Sequence, residues 1–500
     1  MTTTNEASAP GAIRSLIPAR IDRLPWSPFH TRMVIALGVA WILDGLEITV
    51  AGAVVALLTK SETLHLSSTE AGLIATVYLV GEVVGALFFG SLSDKLGRKK
   101  LFIITLAVYL IGSGLTALTL SGGIGWVLFL YATRFVAGMG IGGEYAAINS
   151  AIDELIPARF RGRVDIMVNG TYWAGAIIGT LGTFIFLNQL SPNIGWRVAF
   201  LLGPVLGLVI IFVRRNLPES PRWQVMHGHE AAAEETIAYI EHEVETAGRE
   251  LPRVPEDKTV EIKPAENIGY FALARLLFKE YPQRAIYGAT LMITQSVLYN
   301  AILFTYTLVL TNFYGVDAKQ APLFLIAFAV GNLSGPFVLG HLFDTIGRKK
   351  MISGTYILSG VLLAITAFLF KADVLTATTQ TIAWCVIFFF ASAGASSAYL
   401  TVSEIFPQEV RAKAIAVFFA IAQCFGALGP VIYGALIGDG KDRGPLFGGY
   451  LLGAGVMIVG GLVAAFIGVS AEGKSLEDVA TPLALRRPGT RAEGAARYSM

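Results

Sequence analysis

Charge is what this 500-residue chain has least of: only 15% of its residues are Asp, Glu, Lys or Arg. Soluble domains carry about 25%, so the shortfall argues against an ordinary soluble enzyme. Nor is the charge one-sided. The 38 basic and 36 acidic residues leave a net charge of +2, which offers nucleic acid no basic face, and no nucleic-acid partner is expected. Cysteine is scarcer still: Cys385 and Cys424 both stand in apolar runs, so there is neither a disulfide framework nor a spaced metal site. With no nucleotide, redox or metal constellation, no cofactor and no chemical catalysis are expected. The first 32 residues are polar, hold Arg14, Arg20, Arg23, Arg32 and four prolines, and do not read as a cleavable signal peptide.

Apolar residues are what the chain has in abundance, 54% of the total with a mean hydropathy of +0.62, which excludes disorder. They come in blocks long enough for transmembrane helices, about 20 residues for roughly 30 Å of hydrocarbon. The blocks fall near 33–58, 71–92, 101–120, 124–148, 166–189 and 197–213, then near 285–310, 321–343, 351–370, 378–400, 412–437 and 446–469. The expected fold is therefore an all-α membrane protein of twelve spans, in two six-helix bundles at 33–213 and 285–469. An even number of spans puts both termini on one side. If that side is cytoplasmic, inside segments hold 31 of the 38 basic residues and outer loops only Lys60, Arg197, Lys319, Lys371, Lys441 and Arg443, as the positive-inside bias requires. Residues 1–32 and the tail 470–500 are then cytoplasmic. Residues 214–284 form a cytoplasmic linker, in which His229 to Glu245 reads as a helix ended by Pro252 and Pro255.

The two halves repeat each other. The loop after the second span reads Gly90-Ser-Leu-Ser-Asp94-Lys-Leu-Gly97-Arg98-Lys-Lys, and the loop after the eighth reads Gly340-His-Leu-Phe-Asp344-Thr-Ile-Gly347-Arg348-Lys-Lys. Glu154-x-x-Pro157-x-x-x-Arg161 follows the fourth span, and Glu404-x-x-Pro407-x-x-x-Arg411 follows the tenth. Every matching pair is offset by 250 positions, the mark of two homologous halves. Chemically these loops suit a gate: glycine lets a helix end approach closely, Asp accepts from a helix amino terminus, and arginines pair with carboxylates.

On these residues the chain resembles the major facilitator superfamily over nearly its whole length, with Thr345 in place of Lys in the second loop copy. The two Glu-x-x-Pro-x-x-x-Arg loops, Pro218-Glu219-Ser220-Pro221-Arg222-Trp223 and Gln295-x-x-x-x-Asn300 are similar to the sugar-porter and metabolite-porter branch. The resemblance implies a carrier with a substrate cavity between its halves near the bilayer midplane. It also implies that the loop carboxylates and arginines form interhelical salt bridges holding the outward-facing state.

Ionisable groups inside spans cost several kcal/mol, so each needs a role. At about 1.5 Å rise per residue, Asp44 lies roughly 16 Å into span 1, Glu82 roughly 16 Å into span 2 and Arg134 roughly 15 Å into span 4. Glu47 shares the face of Asp44 one turn on, while Glu144 lies about 30 Å along span 4, near the cytoplasmic end and the gate. A carboxylate that pairs with Arg134 in one state and leaves it in another is a proton site. The alternative is a permanent Asp44–Arg134 or Glu82–Arg134 bridge that only cements helices. Asp44-Gly45-Leu46-Glu47 is similar to the acidic first-helix motif of aromatic-acid:proton symporters, and Arg134-x-x-x-Gly138-x-Gly140-x-Gly142-Gly143-Glu144 to the fourth-helix motif of metabolite:proton symporters. Asp44, then Glu47, lead as proton-coupling acids, with Glu82 behind them because helix 2 flanks the cavity in this family.

The second half offers amides and phenols instead: Gln295, Tyr299, Asn300, Thr305 and Tyr306 in span 7 and Tyr399 in span 10. In sugar porters the matching Gln and Asn contact the sugar, so Gln295 and Asn300, with Tyr299, Tyr399 and Arg134, are the expected substrate contacts. Ala393-Gly-Ala-Ser-Ser-Ala-Tyr399 lacks the prolines and Trp of sugar porters and is closer to organic-ion porters. The expectation is a monomeric carrier in a bacterial inner membrane, importing a small polar metabolite with protons, an organic acid and possibly an aromatic one. A sugar facilitator or sugar:proton symporter, a proton-driven exporter and a non-transporting nutrient sensor are the alternatives.

Overall fold

The computed structural model describes residues 13–480 apart from 59–62, 65, 67, 122, 215–217, 255–258, 263–268, 317–320, 408–409, 438–439 and 475. Lys60, Lys319, Pro255 and the ends 1–12 and 481–500 thus lie outside the described residues. In hydrocarbon every backbone N–H and C=O must be satisfied by the protein itself, and a helix does so within one segment; the apolar blocks accordingly form helices. α1 (Ile17–Asp22) precedes α2 (Pro28–Leu58), α3 (Ser68–Leu96), α4 (Arg98–Thr116), α5 (Ile124–Leu155), α6 (Ala158–Gly170), α7 (Tyr172–Gln189) and α8 (Pro192–Arg214). The connecting region holds α9 (Pro221–Met226), α10 (Glu230–Thr246) and α11 (Tyr270–Glu280). α12 (Pro282–Tyr314), α13 (Ala321–Leu339), α14 (Leu342–Thr345), α15 (Arg348–Lys371), α16 (Ala377–Ile405), α17 (Arg411–Gly426), α18 (Leu428–Ile437), α19 (Gly444–Ile467) and α20 (Leu476–Val479) follow.

Among the described residues nine helical stretches have the length and apolar composition to cross a membrane. Three shorter apolar stretches, Thr76–Leu92, Asn193–Leu208 and Lys413–Gly426, fall on the second, sixth and eleventh expected spans. Most helices outrun their apolar blocks: the first begins at Pro28 rather than 33, and the fourth continues to Leu155 rather than 148. Apolar runs mark the hydrocarbon, whereas helical hydrogen bonding persists through the headgroup layer. Two spans are broken by a single turn residue, Thr171 between α6 and α7 and Ala427 between α17 and α18.

The fold is all-helical except for one correction. Ile13–Ser15 and Val260–Ile262 form a two-stranded antiparallel ribbon, Ile13 opposite Ile262. The linker helix is α10, and its end is also corrected. It closes through Ala247 and Gly248, whose φ of +74° suits glycine, ahead of Pro252. Its buried stripe Ala233, Ile237, Ile240 and Val244 has helical spacing, and Ile237 packs with Ile17 and Ile21 of α1 and with Val225 and Met226 of α9.

α3 runs along α5, α4 along α5, and α2 along α7; in the second half α15 lies on α19 and α13 on α16. The α3–α5 approach depends on Gly138 and Gly142, where a Cβ would strike the carbonyls of Tyr78 and Glu82. The halves meet where α17 packs on α3 and α5, α13 on α6 and α7, and α16 on α5 and α6. Ile111, Leu128, Val205, Val330 and Phe466 point outward and are more than half exposed, which suits helices bathed in acyl chains.

Candidate functional site

The charged residues sort into two layers. In the middle layer Arg134 of α5 is fully buried and pairs with Glu47 of α2. Glu47 is held for this by α4, accepting from the hydroxyls of Tyr109 at 3.0 Å and Ser113 at 2.9 Å. The guanidinium also lies 4.5 Å from the Tyr78 ring centroid and 5.1 Å from that of Phe200. The bridge expected from Asp44 or Glu82 is thus made by Glu47, because the rotation of α2 aims the residue one turn further along at α5. Nε and Nη2 of Arg134 have no hydrogen-bond partner among the described residues.

Among the described residues, Asp44 and Glu82 are left without a cation. Both are buried, and no described Lys or Arg nitrogen comes within 4.0 Å of either. Asp44 accepts from the Tyr145 hydroxyl, while its Oδ1 has no partner. Glu82 accepts from Nε2 of Gln423 on α17 at 2.9 Å, leaving Oε1 unpaired. Glu144 precedes Tyr145 on α5 and acts electrostatically on Asp44. It lies about 15 Å along the helix from Glu154, so the structure groups it with these acids rather than with the gate expected from sequence.

Substrate candidates from the second half face this layer. Oε1 of Gln423 accepts from Ser296 at 2.8 Å, and Nδ2 of Asn300 lies 3.3 Å from the Ser296 hydroxyl. Gln295 lies beside the Tyr399 hydroxyl, and Tyr299 donates to Asn332 at 2.9 Å. Rings from both halves close around Asp44: Trp41 to Tyr145 at 4.7 Å, Tyr145 to Phe419 at 4.3 Å and Trp41 to Tyr399 at 5.4 Å between centroids. Trp173 of α7 meets Tyr299 at 5.7 Å and Phe328 at 5.5 Å. Tyr306 instead bonds Thr381 within its own half, and the side chain of Thr305 is outside those described.

The second layer lies at the end bearing the linker helices. Arg98 pairs with Glu154 at 2.8 Å, and its repeat partner Arg348 pairs with Glu404 at 3.0 Å. Across the halves, Arg161 stands 3.7 Å from Glu404 and Asp153 3.8 Å from Arg411, while Asp153 also lies 3.8 Å from Arg161 of its own half. Asp344 pairs with Arg348 at 2.5 Å and accepts from the Arg163 backbone N–H at 2.7 Å. Gly97 and Gly347 adopt φ of +84° and +112° to start α4 and α15. Glu219 and Glu472 accept from the first backbone N–H groups of those helices, at Arg98 and Arg348. Gly90 is buried on α3, and Gly340 approaches Ile166 and Arg163 of α6. The side chain of Asp94 is outside those described.

Residues not singled out from sequence complete both layers: Tyr145, Gln423, Trp41, Asp153 and Asp22. Gln423 was findable as a lone amide in an apolar span. Asp22 was not, since it lies in the polar amino-terminal stretch, yet it stands 3.2 Å from Arg222 and 3.6 Å from Arg161. Its segment is clasped to α10, where Glu241 meets Arg20 at 2.6 Å and also pairs with Arg23. Burial pushes the Glu241 carboxyl up, but the two guanidiniums outweigh it and hold it below its ordinary range.

Comparison with known proteins follows the same lines. The sequence model of a family described as "Sugar (and other) transporter" matches residues 32–483. The niacin transporter NiaP of Acinetobacter baylyi is 25% identical over 462 residues, 92% of this chain and 99% of its own length. The 4-hydroxybenzoate transporter PcaK of Pseudomonas aeruginosa is 27% identical over 446 residues, 87% and 92% of the two chains. Among solved structures, the proton:xylose symporter XylE of E. coli bound to 6-bromo-6-deoxy-D-glucose superposes with a TM-score of 0.73 at 19% identity, covering 90% of this chain and 98% of its own.

Proposed function

The chain belongs to the sugar (and other) transporter family of the major facilitator superfamily, and on that premise we propose that it imports a small organic acid, aromatic by preference, together with protons. The observation that carries this reading is the pair of buried carboxylates, Asp44 and Glu82, that lie at the junction of the halves without a cation among the described residues, while Arg134 keeps donors unpaired among them. An ionised carboxylate so placed costs several kcal/mol, so a proton on Asp44 or Glu82 is what allows the closed arrangement. Arg134 offers Nε and Nη2 to a substrate carboxylate, and Trp41, Tyr145, Tyr399 and Trp173 offer ring faces to an aromatic one. The relatives named for niacin and 4-hydroxybenzoate agree with such a substrate.

On this reading the bundles 33–213 and 285–469 are the bodies that rock about the site, and the linker end faces the cytoplasm of a bacterial inner membrane. The ion pairs there hold the inner gate shut while substrate and protons load from outside. Their parting admits water to the acids, which release their protons, and a single chain suffices for the cycle. A sugar:proton symporter is the second reading, favoured by the amide group Gln295, Asn300 and Gln423 with Ser296.

Internal pH in proteoliposomes tests both, on adding aromatic acids, other organic anions, sugars and cations to wild type and Asp44→Asn. Acidification triggered by an aromatic acid and lost in the variant is the expected result. Acidification by sugars alone supports the second reading, and labelled exchange without a pH change makes the protein a facilitator.

A further inference from the structure

One buried acid has no part in that scheme. Asp165 lies one turn beyond Arg161 on α6, is fully buried, and neither of its oxygens has a hydrogen-bond partner among the described residues. The charged groups facing it are Asp153 from α5, Arg161 from its own helix, Arg348 from α15 and Glu404 from α16. Both arginines are engaged elsewhere: Arg161 with Asp22, Asp153 and Glu404, and Arg348 with Asp344 and Glu404. No described guanidinium or ammonium comes within 4.0 Å of Asp165.

Its place in the fold gives this meaning. α6 packs on α13, α14 and α16 of the other half. One turn before Asp165, a Cβ on Gly162 would strike the side chains of Arg348 and Asp344. Asp165 therefore sits one turn behind a surface that must separate when this end opens. Closed, the site offers an ionised carboxylate no donor among the described residues, which penalises the charged form. Parted, it offers water.

We propose that Asp165 is a proton-binding site of the inner gate, which takes a proton from the cytoplasmic side as the gate shuts and returns it to that side as the gate opens. The proton leaves the carboxyl oxygen for water and nothing else changes, so this site adds nothing to the protons carried across. It makes gate closure a sensor of internal pH: acid inside favours the shut gate and slows further import. The inference rests on the carrier reading and its inner gate, but not on proton coupling at Asp44.

The test is the distance between spin labels at Lys100 and Lys350, exposed at this end of opposite halves, in full-length protein without substrate or gradient. In wild type the closed-to-open ratio should rise by up to about tenfold per pH unit of acidification. Asp165→Asn, a neutral mimic, should stay shut to higher pH with a shallower slope, the remainder belonging to Asp44 and Glu82; Asp165→Glu should keep the full slope, and Asp44→Asn should keep the share that belongs to Asp165. An Asp165→Asn protein that retains the wild-type slope, or a wild type with none, overturns the proposal. Infrared spectra give a second readout: a carboxylic-acid band of the shut protein should vanish in Asp165→Asn, and its persistence counts against the site. Failure of proton coupling would show separately, as absence of substrate-triggered acidification.

Discussion

Glu82 and Gln423 join the two halves through one hydrogen bond of 2.9 Å between a buried carboxylate and a half-buried amide. Because Oε1 of Gln423 already accepts from Ser296, the amide must present its N–H to Glu82. The acid layer of the first half and the amide group of the second are therefore one network. Gln423→Leu leaves a buried acceptor unpaired, a loss of about 1–3 kcal/mol. The expected outcome is a rise in KM, measured by uptake of labelled substrate, with a modest fall in thermal stability.

The Arg134–Glu47 pair carries a larger penalty when broken. Glu47→Leu strands a buried guanidinium, which costs about 3–5 kcal/mol, so a marked drop in Tm in detergent is expected. Adding Arg134→Met should restore most of that stability while uptake stays lost. A double variant no more stable than Glu47→Leu would show the pair to be energetically idle.

At the proposed inner gate, Asp153 is shared by Arg161 and Arg411 at 3.8 Å each. Asp153→Asn removes the negative charge between two buried arginines of opposite halves, so the shut state weakens. A cysteine at Ser150, buried on α5, should then be alkylated several-fold faster. Unchanged labelling would place the closing force elsewhere.

The clasp of the amino-terminal segment on α10 has a defined pH window. Glu241 is held below its ordinary value of 4.5, so its contribution is complete above that value and fades as the pH falls through the lower folded one. Arg20 is raised by its hydrogen bond to Glu241 and stays charged throughout. A spin label at Ala19 should be immobile at neutral pH and gain mobility only below about pH 4.5. High salt should loosen it partly at neutral pH, and a label mobile at pH 7 would contradict the clasp.

The sequence carried the helical spans and the repeat because both depend on apolar runs and spacing, which need no tertiary information. The equivalence of Arg98–Glu154 and Arg348–Glu404 followed from the 250-residue offset. Which acid meets Arg134 did not, since Asp44 and Glu47 share a helix face and the choice rests on α2's rotation against α4 and α5. Tyr109 and Ser113, which decide it, look like ordinary residues of an apolar span. The ribbon was unreadable because three-residue strands in polar segments have no periodicity to detect.

That ribbon also orders events during synthesis. Ser15 pairs with Val260, about 245 residues later, and translation at roughly 5–20 residues per second separates their appearance by about 12–50 s. For most of that interval, until α9 and α10 are made, Ile17 and Ile21 have neither helix to cover them. The segment carrying Asp22 therefore reaches Arg222 only after the whole first half has been synthesised.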